Sequence, residues 1–242
     1  MEFSFNKISL WAEQLVDTVA THRKQALLGL AGLVVGALML VGYHFYSNWA
    51  QAAAHKDFVV ALRYFDAPVT TQNVVTDDVV EFATDEDKWK KVEEVFKAGY
   101  QKHRGSGLAS MFCAYQAEAL TRLGNIDGAI EVLQNAIKIM PSNEMREFYK
   151  LKLALVKCDS ADARVQQDGF ADLKKLAEDQ KSLANEAGLY YIGAYFWNQR
   201  DYAQAKNYWQ QYMVKYGLKD AKFQSGFSEV VKSKLKLISA DW

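Results

Sequence analysis

Hydrophobic positions along the chain follow two regimes. Between Lys24 and Lys56 no residue carries a formal charge, and from Ala26 the run reads Ala-Leu-Leu-Gly-Leu-Ala-Gly-Leu-Val-Val-Gly-Ala-Leu-Met-Leu-Val-Gly-Tyr. Beyond Trp49 the apolar residues recur at a period near 3.6 with few breakers. That pattern predicts helices over 49–65, 86–103, 107–123, 127–140, 144–158, 168–180, 183–198, 202–215 and 221–238. Asp66–Asp87, with Pro68, several threonines and acidic residues, reads as a loop holding one short element. Val74-Val75 and Val79-Val80 come nearest to strands, and the predicted class is all-α.

The uncharged run has the length of a membrane span. A bilayer core about 30 Å thick takes roughly 20 apolar residues in a helix, and a buried soluble helix is seldom apolar around its whole circumference. Tyr43, Phe45, Tyr46 and Trp49 sit where an interfacial aromatic belt would. His22-Arg23-Lys24 abut one end, and the other has no cation until His55-Lys56, so the positive-inside rule puts residues 1–24 in the cytoplasm and the C-terminal bulk outside. Ala50-Gln51-Ala52 resembles a signal-peptidase site. Against cleavage stand the length of the run, the aromatics before the alanines and the acidic Glu2, Glu13 and Asp17, so an uncleaved anchor is expected. Gly32 and Gly36, with Gly29 on a nearby face, would let two membrane helices approach closely; general enrichment of glycine in membrane helices accounts for them equally well. Ahead of the span, Phe5, Ile8, Ala12, Leu15 and Val19 repeat at steps of 3 and 4, a short amphipathic helix for the inner leaflet or a partner.

The remainder repeats. In residues 108–141, Ala117 and Leu120 share one face of a first helix, Gly124-Asn125-Ile126-Asp127 make a turn, Ala129, Leu133 and Ala136 face back from a second helix, and Pro141 ends it. Small residues at Ala117 and Ala129 let the helices touch, and leucines fill the gap. This resembles the tetratricopeptide repeat, a 34-residue helical hairpin, with departures at Cys113 and Gln116. Residues 186–217 repeat the scheme through Leu189, Ile192, Gly193, Phe196, Asp201-Tyr202, Ala205 and Trp209; Tyr212 replaces a small residue and Gly217 the proline, so a loose end is expected. Ala129 and Ala205 lie 76 apart, two units plus 8. A degenerate hairpin, Asn143–Cys158 with Gly169–Asp179, should lie between, its insertion in the polar run Asp159–Asp168. Phe227, Val230, Val231, Leu235 and Ile238 make a stripe suited to a cap. The expected layout is a cytoplasmic leader (1–24), an anchor (25–48), a helical spacer with an acidic loop (49–106) and a tetratricopeptide-like solenoid with its capping helix (107–242).

Composition removes several functions. Twenty-nine basic residues balance 29 acidic ones, which excludes nucleic-acid binding driven by bulk charge. His22, His44, His55 and His103 lack metal-ligand spacing, and no phosphate loop, dinucleotide fingerprint or nucleophile elbow occurs. No catalytic, cofactor or metal residue is expected, and the chain reads as a non-enzyme. His103-Arg104-Gly105-Ser106-Gly107 reads as a mobile helix end. Cys113 and Cys158 are expected as buried thiols more than as a bridge.

Tetratricopeptide stacks present the first helix of each hairpin on a concave face. Helical spacing points Met111, Glu118 and Arg122 there from one unit, and Tyr190, Trp197 and Asn198 from another. Ten of the 27 residues from Tyr190 to Tyr216 are aromatic; core packing is the competing account of Tyr190 and Trp197.

The layout as a whole resembles the ancillary SecYEG translocon subunit family (YfgM-like), most closely at HRKQALLGLAGLVVGALMLVGYHFYSNWAQAA and GLASMFCAYQAEALTRLGNIDGAIEVLQNAI, though Asp66–Asp87 looks longer than the family's stretch. The resemblance implies a bacterial inner-membrane protein with a periplasmic domain. Its partners would be translocon subunits, a periplasmic chaperone or exported polypeptides. The alternative is a structural scaffold of a cell-wall or division complex, dimerised through Gly32 and Gly36.

Overall fold

The computed structural model describes residues 23–71, 74–75, 79–217 and 225–240. The leader helix expected over residues 1–22 lies outside the described residues, as does the segment 218–224. The chain divides into two compact units, 1–53 and 54–242.

Helix α1 runs Arg23–Asp66 without interruption, where the sequence pattern set a boundary at residue 48. The reason is local: no proline intervenes, and Ala50, Ala52, Ala53 and Ala54 are strong helix formers. In the first unit large apolar side chains stand exposed; Leu33, Leu38, Leu40, Tyr43, Phe45 and Trp49 are each at least 67% exposed. A Cβ at Gly32 or Gly36 would meet nothing within 4 Å, so neither glycine is needed for packing within the chain. Gly29 lies in α1, and its surroundings fall outside the description. Among the described residues, no helix is long and apolar enough to cross a membrane.

The second unit is mostly helical. Strands β1 (Val74–Val75) and β2 (Val80–Glu81) pair antiparallel, Val74 opposite Glu81, and Val69 bridges to Phe82. This small β element is the one departure from an all-helical body, and it buries Val80 and Phe82 against Ala67 and Tyr64. Helix α2 (Asp85–Lys102) starts where the Thr84 side chain accepts the Asp87 N–H, with Asp85, Glu86 and Asp87 complementing the helix dipole.

Helices α3 (Ala109–Arg122), α4 (Ile126–Ile139), α5 (Asn143–Cys158), α6 (Ala163–Glu178), α7 (Asn185–Asn198) and α8 (Tyr202–Tyr216) form three antiparallel hairpins in series, and α9 (Gly226–Ala240) packs on α8 and α7. Hairpins one and three keep 17 residues between helix starts, at 109 and 126 and at 185 and 202. In the middle hairpin α6 begins 20 residues after α5, and α7 begins 22 after α6. The extra eight residues are therefore split, three before α6 and five after it. Only the smaller share falls in Asp159–Asp168, because Asp162 caps α6 through the Arg164 N–H and turns the rest of that run into helix.

The stretch expected as a helical spacer (49–106) contributes side chains to the core of the first hairpin. Phe58 and Phe65 from α1, Val92 and Phe96 from α2, and Phe112 and Tyr115 from α3 share one aromatic core. The Phe58 ring lies 5.1 Å from Phe112 edge-on, and Phe96 stacks on Tyr115 at 5.0 Å. Gln116, a departure from the repeat pattern, is buried and donates to Glu93 on α2 at 2.9 Å, so a polar tie stands where the pattern has an apolar residue. On α9, Val231 and Ile238 are buried with Phe227 and Leu235 beside them, whereas Val230 is 41% exposed and drops out of the expected stripe.

Candidate functional site

Helices α5, α7 and α9 bring an apolar groove together. Leu151 and Leu155 of α5, Ala187 and Tyr191 of α7, and Phe227 of α9 line a hollow of about 450 Å³, with Phe148 and Leu183 at its edge and Glu144 and Lys152 also against it. Phe148 and Leu183 are 61% and 69% exposed, an unusual state for large apolar side chains grouped together. A second hollow, of about 270 Å³, shares Leu155 and Tyr191 with the first and continues past Cys158, Asp159, Tyr195 and Asn198. On the other side Phe65, Tyr115, Glu118, Tyr149 and Lys152 surround a smaller depression.

Electrostatics at the α3–α5 junction centre on Glu118. Lys152 Nζ lies 2.5 Å from one carboxylate oxygen and Arg122 Nε 2.8 Å from the other. Burial pushes this carboxyl upward, and the hydrogen bonds from Lys152 and Arg122 outweigh burial, holding it below the usual carboxylate range. Lys152 is thereby neutralised where it borders the groove.

The structure distributes the expected site residues over several places. Asn198 lines the second hollow, and Glu118 lines the separate smaller depression. Met111 is half-buried on α3 and lines none of these hollows. Arg122 points to the turn end of its hairpin, 5.5 Å from the Trp89 ring. Tyr190 stacks face to face on Phe227 at 4.3 Å, and Trp197 packs against Tyr202 and Trp209 with Lys234 Nζ 4.1 Å from its ring centre. Helix α9 takes both rings out of an open surface. Tyr191, one residue on and rotated by a helical step, faces the groove in place of Tyr190. Sequence reading missed Phe148, Leu183 and Tyr191. The stripe Glu144, Phe148, Leu151, Leu155 at steps of 3 and 4 was legible once α5 is read as a first helix like α3 and α7.

The groove is lined mainly by apolar side chains. Both cysteines are free, and burial pushes each thiol up to about 11. Among the described residues no three His, Cys, Asp or Glu side chains are placed to hold a metal. One histidine, His103, joins an ionic cluster. It is buried at the end of α2, with Nε2 2.7 Å from Asp57 Oδ2, and Lys102 Nζ meets the same oxygen at 2.7 Å. Those hydrogen bonds, from Lys102 first and then His103, hold the Asp57 carboxyl below its ordinary range. The cluster ties α1 to α2, so the segment from His103 is anchored and not a free helix end. No protein-family model matches the chain, and no curated protein matches it.

Proposed function

We propose that the chain is a non-enzymatic, single-pass membrane protein whose tetratricopeptide-like hairpins bind polypeptide. In this reading it serves a bacterial inner membrane as an ancillary translocon subunit or periplasmic chaperone adaptor, with residues 1–24 cytoplasmic and the body periplasmic. The observation that carries the binding role is the apolar groove on α5, α7 and α9, with Phe148 and Leu183 left exposed at its edge.

The anchor rests on the uncharged run from Ala26 and on the exposed apolar side chains of α1. The translocon assignment rests on the resemblance of the layout. Photoreactive residues placed at Phe148 and Leu183 in living cells test it. Recovery of translocon subunits, a periplasmic chaperone or exported chains is the expected result. Recovery of a single cell-wall or division protein would replace the adaptor by a scaffold. Protease added to intact and permeabilised cells tests the topology, with digestion of residues 54–242 expected only after the outer envelope is opened.

A further inference from the structure

Helix α5 carries a carboxylate at each end of the groove. Glu144 borders the larger hollow and Asp159 the smaller, and Phe148, Leu151 and Leu155 lie between them. Fifteen residues of helix at about 1.5 Å each set the two acids roughly 22 Å apart. Neither is in an ion pair among the described residues. Glu144 accepts a hydrogen bond from Ser142 Oγ and keeps its charge, its carboxyl lowered by that bond. Lys152, the one cation that lines either hollow, is already bound to Glu118, Lys150 and Lys157 pair with Glu147 and Asp172, and α7 lines the opposite wall with Ala187, Tyr191 and Asn198, none of them charged. An apolar trough with an acid at either end is complementary to one kind of chain.

We propose that the groove takes a polypeptide segment with two or three large apolar side chains flanked on both sides by Lys or Arg. This rests on the polypeptide-binding reading above and gives it a selectivity. The length is set by the 22 Å between the acids, which an extended strand of about seven residues spans at roughly 3.3 Å per residue. The apolar side chains supply the affinity through burial. The flanking cations select among apolar segments by attraction to Glu144 and Asp159, and an acid-flanked segment is repelled at both ends.

The test uses the full chain in zwitterionic lipid nanodiscs, with empty nanodiscs subtracted, and fluorescence anisotropy of three labelled peptides. One has a Leu/Phe core with lysines at both ends, one the same core with glutamates, and one a serine core with lysines. The lysine-flanked apolar peptide should bind about tenfold more tightly than its glutamate counterpart at low salt, with the gap narrowing at high salt. E144Q with D159N should abolish that preference while both apolar peptides still bind. F148S, at a side chain already mostly in solvent, should weaken both without loss of helicity by circular dichroism. Equal affinity of the two apolar peptides for the unaltered chain would overturn the charge selectivity and leave the groove standing. Absence of binding by either apolar peptide would overturn the polypeptide-binding reading itself.

Discussion

Hairpins one and three are the same design, 76 positions apart, with a different solution at the crossing point. In each, a left-handed residue and a side-chain cap turn the chain. Gly124 has φ 75° and Arg200 φ 60°; Asn125 accepts from the Gly128 N–H and Asp201 from the Gln204 N–H. Ala129 and Ala205 are fully buried in both. Where hairpin one sets Ala117 beside Leu133, hairpin three sets Gly193 beneath Trp209. A Cβ at Gly193 would stand 2.3 Å from Trp209 Nε1, and that nitrogen donates to the Tyr190 carbonyl at 3.1 Å. Three positions further on, hairpin one buries Ala136 and hairpin three Tyr212. The Tyr212 hydroxyl meets Glu186, Ser225 and Ser228, which pins α9 to the stack. Two helices can cross at similar spacing with a small–medium pair or with a void and a ring, provided that the volumes compensate.

The largest test of that comparison is Trp209→Ala. It should cost about 3–5 kcal/mol, as loss of a fully buried ring does, and it removes the surface on which Trp197 packs. Thermal melts of the full chain by near- and far-UV circular dichroism measure it. A loss under about 1 kcal/mol would mean that the ring does not hold the third hairpin. Gly193→Ala comes next, at about 1–3 kcal/mol for overpacking. Adding Trp209→Leu restores the small–medium pairing of hairpin one, so the double variant should be more stable than the two separate losses predict; strict additivity would show that the two sites are independent.

The turn offers a smaller, two-sided test. A non-glycine residue in the left-handed region costs about 1–2 kcal/mol, of which glycine's extra chain entropy takes back about 0.5–1. Arg200→Gly should therefore raise the melting temperature and Gly124→Ala lower it, each by an amount equivalent to about 1 kcal/mol or less. Two shifts of the same sign would break the equivalence of the turns.

Smallest is the acid response of the first junction. Position 118 is a glutamate in hairpin one, and its counterpart in hairpin three is Ala194. The folded pKa of Glu118 lies below its ordinary value of 4.5. The ion pair therefore stabilises the protein above that value, and its contribution disappears as pH falls through the folded pKa. Glu118→Gln should lower stability by about 1 kcal/mol or less at neutral pH, with the difference from the parent chain closing in acid. A constant difference across the titration would refute the assignment.

Helix positions and hairpin turns were legible because their causes lie within a few residues. Asn125, Asp201 and Ser142 cap the helices that follow them, and Ala129 and Ala205 mark close crossings by size alone. The candidate groove was legible in half. Of the residues expected on the concave face, Asn198 lines the second hollow, but the sequence could not foresee that α9 would pack on Tyr190 and Trp197 and leave Tyr191 to line both hollows. Nor could it find His103 against Asp57, partners 46 positions apart whose meeting depends on how α1 lies along α2.

By itself the sequence determined the helical class, the 34-residue spacing of the first unit, the turn chemistry and the long uncharged run, all of which follow from side-chain period, volume and charge along a few turns of chain. Tertiary structure alone decided that residues 54–106 join the core of the first hairpin, that the eight added residues divide around α6, and which aromatics face out. Those outcomes depend on which distant surface arrives to bury a given side chain, and one helix face looks equally apolar in the sequence whether it meets α9 or water.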